Sequence, residues 1–199
     1  MEEGYIKFNC RWIKDKPVGP EFISELNIWR SKLYNVGLIG MYDSGIGFGN
    51  ISVRFGTNNF LITGSATGGY EKLNESHYVV VTDYNLEQNS LTCRGPIKAS
   101  SESLSHAVIY KNSPDTRAVI HIHNLKLWQQ LLNNYPTTRE SAAYGTPEMA
   151  DEIEKLFNTA DLHTERLIVM AGHREGIITF GETLDEAGEL LLNLFKSSV

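Results

Sequence analysis

The chain has 199 residues, 41% apolar and 21% charged, proportions of an ordinary compact domain that exclude disordered, collagen-like and coiled-coil chains. Its 24 acidic against 18 basic residues leave a net charge of -6, which excludes a general binder of nucleic-acid backbone. No apolar run approaches the roughly 20 residues of a membrane span, Met1-Glu2-Glu3 lacks the pattern of a leader, and Cys10 and Cys93 form no Cys-x-x-Cys pair, so the expectation is a cytoplasmic protein with no membrane or nucleic-acid partner.

In chain order, residues 1–20 read as an N-terminal extension of one domain spanning 1–199. Over 21–36, Phe22, Leu26, Trp29, Leu33 and Val36 recur at helical spacing and predict an amphipathic helix docked by that face. The glycine-dense stretch 37–49 predicts a loop, and Gly49-Asn50-Ile51-Ser52 and residues 63–69 read as further loops rich in glycine and small polar groups. Short apolar runs at 60–63, 78–82 and 91–93, separated by Gly, Asn and Asp, predict meander strands. Ser100 or Ser101 caps a helix reaching about 111, the Ser113-Pro114-Asp115 turn closes it, and a strand follows over 118–122. A short helix is predicted over 125–132, and Thr146-Pro147-Glu148 opens another to about 157. Strands over 167–170 and 177–180 precede a last helix, opened by the capping box Thr183-Leu184-Asp185-Glu186 and burying Leu184, Ala187, Leu191 and Leu194. Strands arriving both in runs and between helices imply a mixed α/β class with a sheet that is not wholly parallel.

Three histidines stand out. His121 and His123 are two apart in a strand, so both face one side; that spacing fits either a metal-chelating pair or two structural histidines with hydrogen-bond partners. His173, flanked by glycines after an apolar strand, is a third imidazole, and three with an open fourth position make a Lewis-acid site for a divalent ion. Ser100, Ser101 and Glu102 at a helix start are either plain caps or an anion site, since free N–H groups collect there. His106, four residues beyond Glu102, falls within hydrogen-bonding reach of it and reads as a supporting or core histidine. His77 and His163 read as solvent-facing. The two glycine-rich loops suit backbone anion nests but match neither a P-loop nor a dinucleotide fingerprint.

Taken in order, Gly49-Asn50-Ile51-Ser52-Val53-Arg54, Leu61-Ile62-Thr63-Gly64-Ser65, Ser100-Ser101-Glu102 with His106, His121-Ile122-His123, Tyr144-Gly145-Thr146-Pro147-Glu148, Gly172-His173 and residues 181–187 form a signature that resembles the class II aldolase and adducin family over about 21–195. The resemblance implies a three-layer α/β/α fold around a central, mainly antiparallel sheet, assembled as a homotetramer. It implies His121, His123 and His173 as ligands of a metal, normally Zn²⁺, with Mn²⁺ or Co²⁺ as other divalent candidates. Glu102 becomes the acid/base, and Asn50, Gly64, Ser65, Ser100 and Ser101 the cradle of a substrate phosphate. Aldolase-like members carry glutamate at position 102 and the epimerase aspartate. The implied chemistry is therefore a lyase cleaving a phosphorylated sugar or hydroxyketone through a metal-stabilised enediolate. A methylthioribulose-phosphate-type dehydratase and a non-catalytic, adducin-head-like interaction domain are the other implied classes. Three departures stand against the pattern. Loop 63–69 is about a residue longer, Arg174 replaces a frequent glycine, and 124–144 is shorter than the segment that lends a tyrosine acid to the neighbouring subunit. Tyr135 is the expected substitute, because Tyr144 adjoins a helix start.

Overall fold

A computed structural model describes residues 5–198; the opening Met1-Glu2-Glu3 lies outside them. The first half of the chain holds β1 (Asn9–Lys14), α1 (Ser24–Asn35), β2 (Gly40–Met41), β3 (Gly47–Phe48), β4 (Asn50–Phe55), β5 (Asn59–Thr63), β6 (Tyr78–Asn85) and β7 (Ser90–Gly95). The second half holds α2 (Ser103–Asn112), β8 (Ala118–His123), α3 (Leu125–Leu131), α4 (Pro147–Thr159), α5 (Leu162–Glu165), β9 (Leu167–Val169), β10 (Gly176–Gly181) and α6 (Leu184–Ser198). Eight strands form one sheet in the order β1-β7-β6-β5-β4-β8-β10-β9, in which only the β1–β7 pair is parallel. The sheet is therefore mainly antiparallel, as expected.

Alternation along the strands divides the core into two apolar clusters. Phe60 and Ile62 join one and Leu61 the other; Val119 joins the first, and Ala118, Ile120 and Ile122 the second. Successive side chains of a strand point to opposite faces, so each cluster belongs to one face of the sheet. The first cluster is completed by Leu104 and Val108 of α2 and Met149 and Ile153 of α4. The second takes Leu26, Trp29 and Leu33 of α1, Leu127 of α3, and Leu184 and Leu191 of α6. Each fully buried aliphatic or phenylalanine side chain contributes about 1.5–3 kcal/mol over exposure, and a one-residue slip would forfeit that on both faces, so this pattern fixes the register. The α1–α6 contact is closed by Trp29 Nε1–H donating to Asp185 Oδ1 at 2.8 Å, over a Gly188 whose Cβ would overlap the indole.

Several expectations are corrected. The Asn50–Ser52 segment is not a loop but the start of β4, because Ile51 is buried between neighbours on both sides while Gly49, at φ +77°, takes the turn instead. The glycine-dense stretch contains the β2–β3 hairpin, and the N-terminal extension contributes β1. Phe22 and Val36 are exposed beyond the ends of α1, whereas Leu26, Trp29 and Leu33 face the core, and Leu194 is half-buried. Helix α2 begins at Ser103, later than expected, because the Ser100 carbonyl accepts from both the N–H and the hydroxyl of Ser103 and forms a turn first. Cys10 and Cys93, 83 residues apart, lie with their sulfurs 3.8 Å from each other across the β1–β7 pair. Among the described residues no helix is long and apolar enough to cross a membrane.

Candidate functional site

Strand β8 sits between β4 and β10, with Asn50 opposite His121 on one side and Gly176 opposite His123 on the other. Period two sends both histidines to one face, at the end of the strand where the apolar cluster gives out. His173 arrives from the β9–β10 connection, its N–H on the Met170 carbonyl at 3.2 Å and its own carbonyl accepting from Gly176 at 2.9 Å. The three ring centroids stand 4.6–5.1 Å apart, and one nitrogen from each ring falls within 4.8 Å of the others. All three rings are buried, at 1–5% exposure.

Two glycines make the convergence possible. A Cβ at Gly176 would stand 3.1 Å from His173 Nδ1 and 3.2 Å from His121 Nε2, so any side chain there crowds the centre. A Cβ at Gly172 would overlap the Ala142 carbonyl, which is backbone and cannot turn aside. Gly172→Ala is therefore expected to lower stability by about 1–3 kcal/mol and to displace His173. Chemical denaturation and metal affinity of the purified variant check both effects.

The donor chemistry fits a divalent cation. His121 Nε2 is buried with no hydrogen-bond partner, an orphan that points to an absent group. Burial, then the neighbouring His123 and His173, holds His121 well below the usual imidazole range. Burial, then the charge of Lys7, brings His173 down to about 3, so this imidazole is neutral and its 3.6 Å approach to Glu102 Oε1 is not a charged pair. His106 is also brought down to about 3, by burial alone. Its Nδ1 lies 2.7 Å from Ser52 Oγ on β4, and that contact replaces the expected one with Glu102.

These neutral imidazoles make the metal-free protein acid-sensitive. The unfolded chain takes up their protons near pH 6.5, the folded chain only far lower, so below pH 6.5 the unfolded state binds more protons. Stability is full above pH 6.5 and falls as the solution is acidified toward about pH 3. With all three groups contributing, stability falls more steeply with acid than any one of them alone would cause. Urea denaturation of metal-free protein between pH 7 and 4.5 measures it; a flat profile would mean that these groups carry protons in the folded state.

One cleft of about 190 Å³ is lined by all nine residues expected to hold the metal, act as acid/base or cradle the phosphate: Asn50, Gly64, Ser65, Ser100, Ser101, Glu102, His121, His123 and His173. Glu102 is 2% exposed at the N-cap of α2, with Oε2 accepting from the Ser105 hydroxyl at 2.9 Å. It stands beside the three-imidazole cluster, not within it. The Asn50 amide lies 3.3 Å from His121 Nδ1 while Oδ1 has no partner. A half-turn of that amide lets Oδ1 accept the Nδ1–H, leaves the Nε2 lone pair for a cation, and turns the NH₂ away from the ring.

Other residues surround these. Buried Arg30 of α1 donates to the carbonyls of Thr67, Gly68 and Glu71 and so holds the 63–69 loop from below. Tyr144 stacks on His173, centroids 4.6 Å apart, with Lys7 Nζ 3.6 Å from its ring centroid. Tyr144 does pack, as expected, but it packs as a wall of the cleft. Tyr135 packs at the edge of the second apolar cluster and does not line its own chain's cleft, so any part it plays as a proton donor is across a subunit interface. His77 closes a short helical turn by accepting from Asn74 N–H at 2.9 Å, and His163 is exposed.

Comparison with known proteins identifies the family. Residues 42–197 match the family described as Class II Aldolase and Adducin N-terminal domain, and the chain belongs to that family. It is 32% identical over 77 residues to the UlaF protein of Mycoplasma pneumoniae, named a probable L-ribulose-5-phosphate 4-epimerase, a match covering 39% of this chain and 30% of that protein. It is 35% identical over 83 residues to a 3-oxo-tetronate 4-phosphate decarboxylase of Haemophilus influenzae, covering 41% and 35%. The chain thus spans about a third of the length of these curated relatives. Among solved structures, an L-fuculose 1-phosphate aldolase superposes with a TM-score of 0.68 at 22% identity, covering 92% of this chain and 85% of that one.

Proposed function

We propose that the chain is a metal-dependent lyase of the aldolase type, cleaving a phosphorylated sugar or hydroxyketone with Glu102 as the acid/base. The observation that carries this reading is the convergence of three buried imidazoles beside a buried carboxylate in one cleft whose remaining polar lining is amide, hydroxyl and backbone. The cleft is smaller than the ~300–1,000 Å³ of drug-sized sites, which suits a short-chain ligand. A divalent ion bound by His121, His123 and His173, Zn²⁺ first and Mn²⁺ or Co²⁺ otherwise, would supply Lewis-acid polarisation of substrate oxygens. Glu102, oriented by Ser105, moves a proton at the substrate carbon. Asn50, Ser100 and Ser101 donate to the phosphate near the start of α2, and Gly64 and Ser65 close its other side. The same reading includes a single domain in three layers, supported by the two apolar clusters with their own helices, and a cytoplasmic homotetramer.

The names of the relatives bring epimerase and decarboxylase chemistry to the same cleft, beside the dehydratase already considered. A metal-replete preparation assayed against phosphorylated ketoses, deoxy-ketoses and oxo-acids, scoring aldehyde, carbon dioxide, epimer and water loss, decides among them. Metal-dependent aldehyde release is expected. Absence of every product would favour the interaction-domain reading. Ser100→Asp, which sets a carboxylate where the phosphate is read to sit, is expected to raise KM for a phosphorylated substrate at least about tenfold, or about 1.4 kcal/mol. Steady-state kinetics beside circular dichroism tests this; unchanged KM in a folded variant puts the phosphate elsewhere.

A further inference from the structure

We propose that Tyr42 and Glu175 are positioning residues that fix the tautomer and orientation of His123, so that the glycine-dense loop helps to build the metal centre. The proposal rests on the reading of His123 as a ligand, but the relay is a property of the metal-free chain. Tyr42 Oη lies 2.7 Å from His123 Nδ1 and 3.0 Å from Glu175 Oε2. A carboxylate accepts and a phenol carries a single hydrogen, so Tyr42 donates to Glu175 and its oxygen accepts the Nδ1–H of His123. A neutral imidazole has one N–H. Holding it at Nδ1 places the lone pair on Nε2, where a cation needs it, and the carboxylate at the far end makes that nitrogen more basic.

The local backbone is arranged for these contacts. Tyr42 N–H donates to the Ile46 carbonyl at 2.9 Å and Gly45 N–H to the Tyr42 carbonyl at 2.8 Å, a tight turn at the head of the β2–β3 hairpin. Phe48 of that hairpin stacks on His123, centroids 5.5 Å apart at 20°, and Tyr42 packs on Phe48 at 4.5 Å. Glu175 is held at φ +73°, a left-handed conformation that disfavours glutamate. Its carbonyl is taken by Asn124 N–H at 3.1 Å, and the hydrogen bond from Tyr42 helps offset the strain. Phe48, Tyr42 and Glu175 thus hold one ring by its face and by one nitrogen.

Long-range ¹H–¹⁵N correlation spectra of the metal-free wild type test the relay directly, with protonated Nδ1 and unprotonated Nε2 expected at His123. Tyr42→Phe, which keeps the stacking but removes the hydroxyl, is expected to weaken Zn²⁺ or Co²⁺ about 10–100-fold in competition with a chromophoric chelator. Glu175→Gln, whose amide oxygen still accepts, should lose less, and Tyr135→Phe should match the wild type. An Nε2–H tautomer at His123 in the wild type, or wild-type metal affinity in folded Tyr42→Phe, overturns the proposal. Should Tyr42→Phe not fold, the wild-type spectrum still decides. Wild-type protein that binds neither ion would refute the metal reading while leaving the tautomer measurement to judge the relay.

Discussion

On the proposed reading, His121→Ala protein is expected to lose divalent-ion binding, with affinity falling more than the roughly 100-fold typical of losing an outer-shell partner, because one of the three proposed direct donors is gone. His121 is the most constrained of the three: it is 1% exposed, sits mid-sheet opposite Asn50 and Ile178, and has an orphaned Nε2. Its removal also deletes a buried neutral group that the unfolded chain protonates. The same variant should therefore lose part of the acid sensitivity of the metal-free protein. Elemental analysis and pH-dependent denaturation give two independent readouts. Undiminished metal in the purified variant would remove His121 from the ligand set.

Much of this centre can be read from local spacing, because two of its imidazoles belong to one strand and the third sits between glycines. Period two alone puts His121 and His123 on a shared face, and Gly172 and Gly176 allow the backbone approach that brings His173 to them. What local spacing does not carry is tertiary pairing. Helical periodicity brings Glu102 and His106 together, yet Ser105 takes Glu102, while Ser52, 54 residues away from His106 in sequence, takes the histidine. Arg30 falls on the apolar face of α1 with Leu26 and Leu33, and that placement is its one local signal; the carbonyls that satisfy it lie 37–41 residues on. The β4 strand is obscured because Gly49-Asn50 scores as turn, whereas the burial of Ile51 and pairing with two neighbours outweigh that preference. Tyr42 and Glu175 sit in segments whose composition suggests only loops, and their meeting at His123 depends on the β2–β3 and β9–β10 connections approaching each other in space.

Glu102→Gln is expected to retain metal and fold while slowing proton transfer at the substrate carbon about 10²–10⁴-fold. The carboxylate lies beside the cluster of three imidazoles that would hold the ion, so on the proposed reading its charge is not part of the ligand set. Glutamine keeps the shape and an oxygen that accepts from the Ser105 hydroxyl. The native side chain is 2% exposed, so neutralising it relieves the desolvation of a buried charge and should leave stability equal or higher. Loss of rate without loss of stability separates a catalytic carboxylate from a structural one. Because the proton moves only in the transition state, kcat and kcat/KM should fall together with KM little changed. Solvent-isotope exchange into substrate, elemental analysis and thermal unfolding of the same preparation supply the three readouts. Exchange at the wild-type rate would reject the acid/base role, and loss of the ion from a folded variant would make Glu102 a fourth ligand instead.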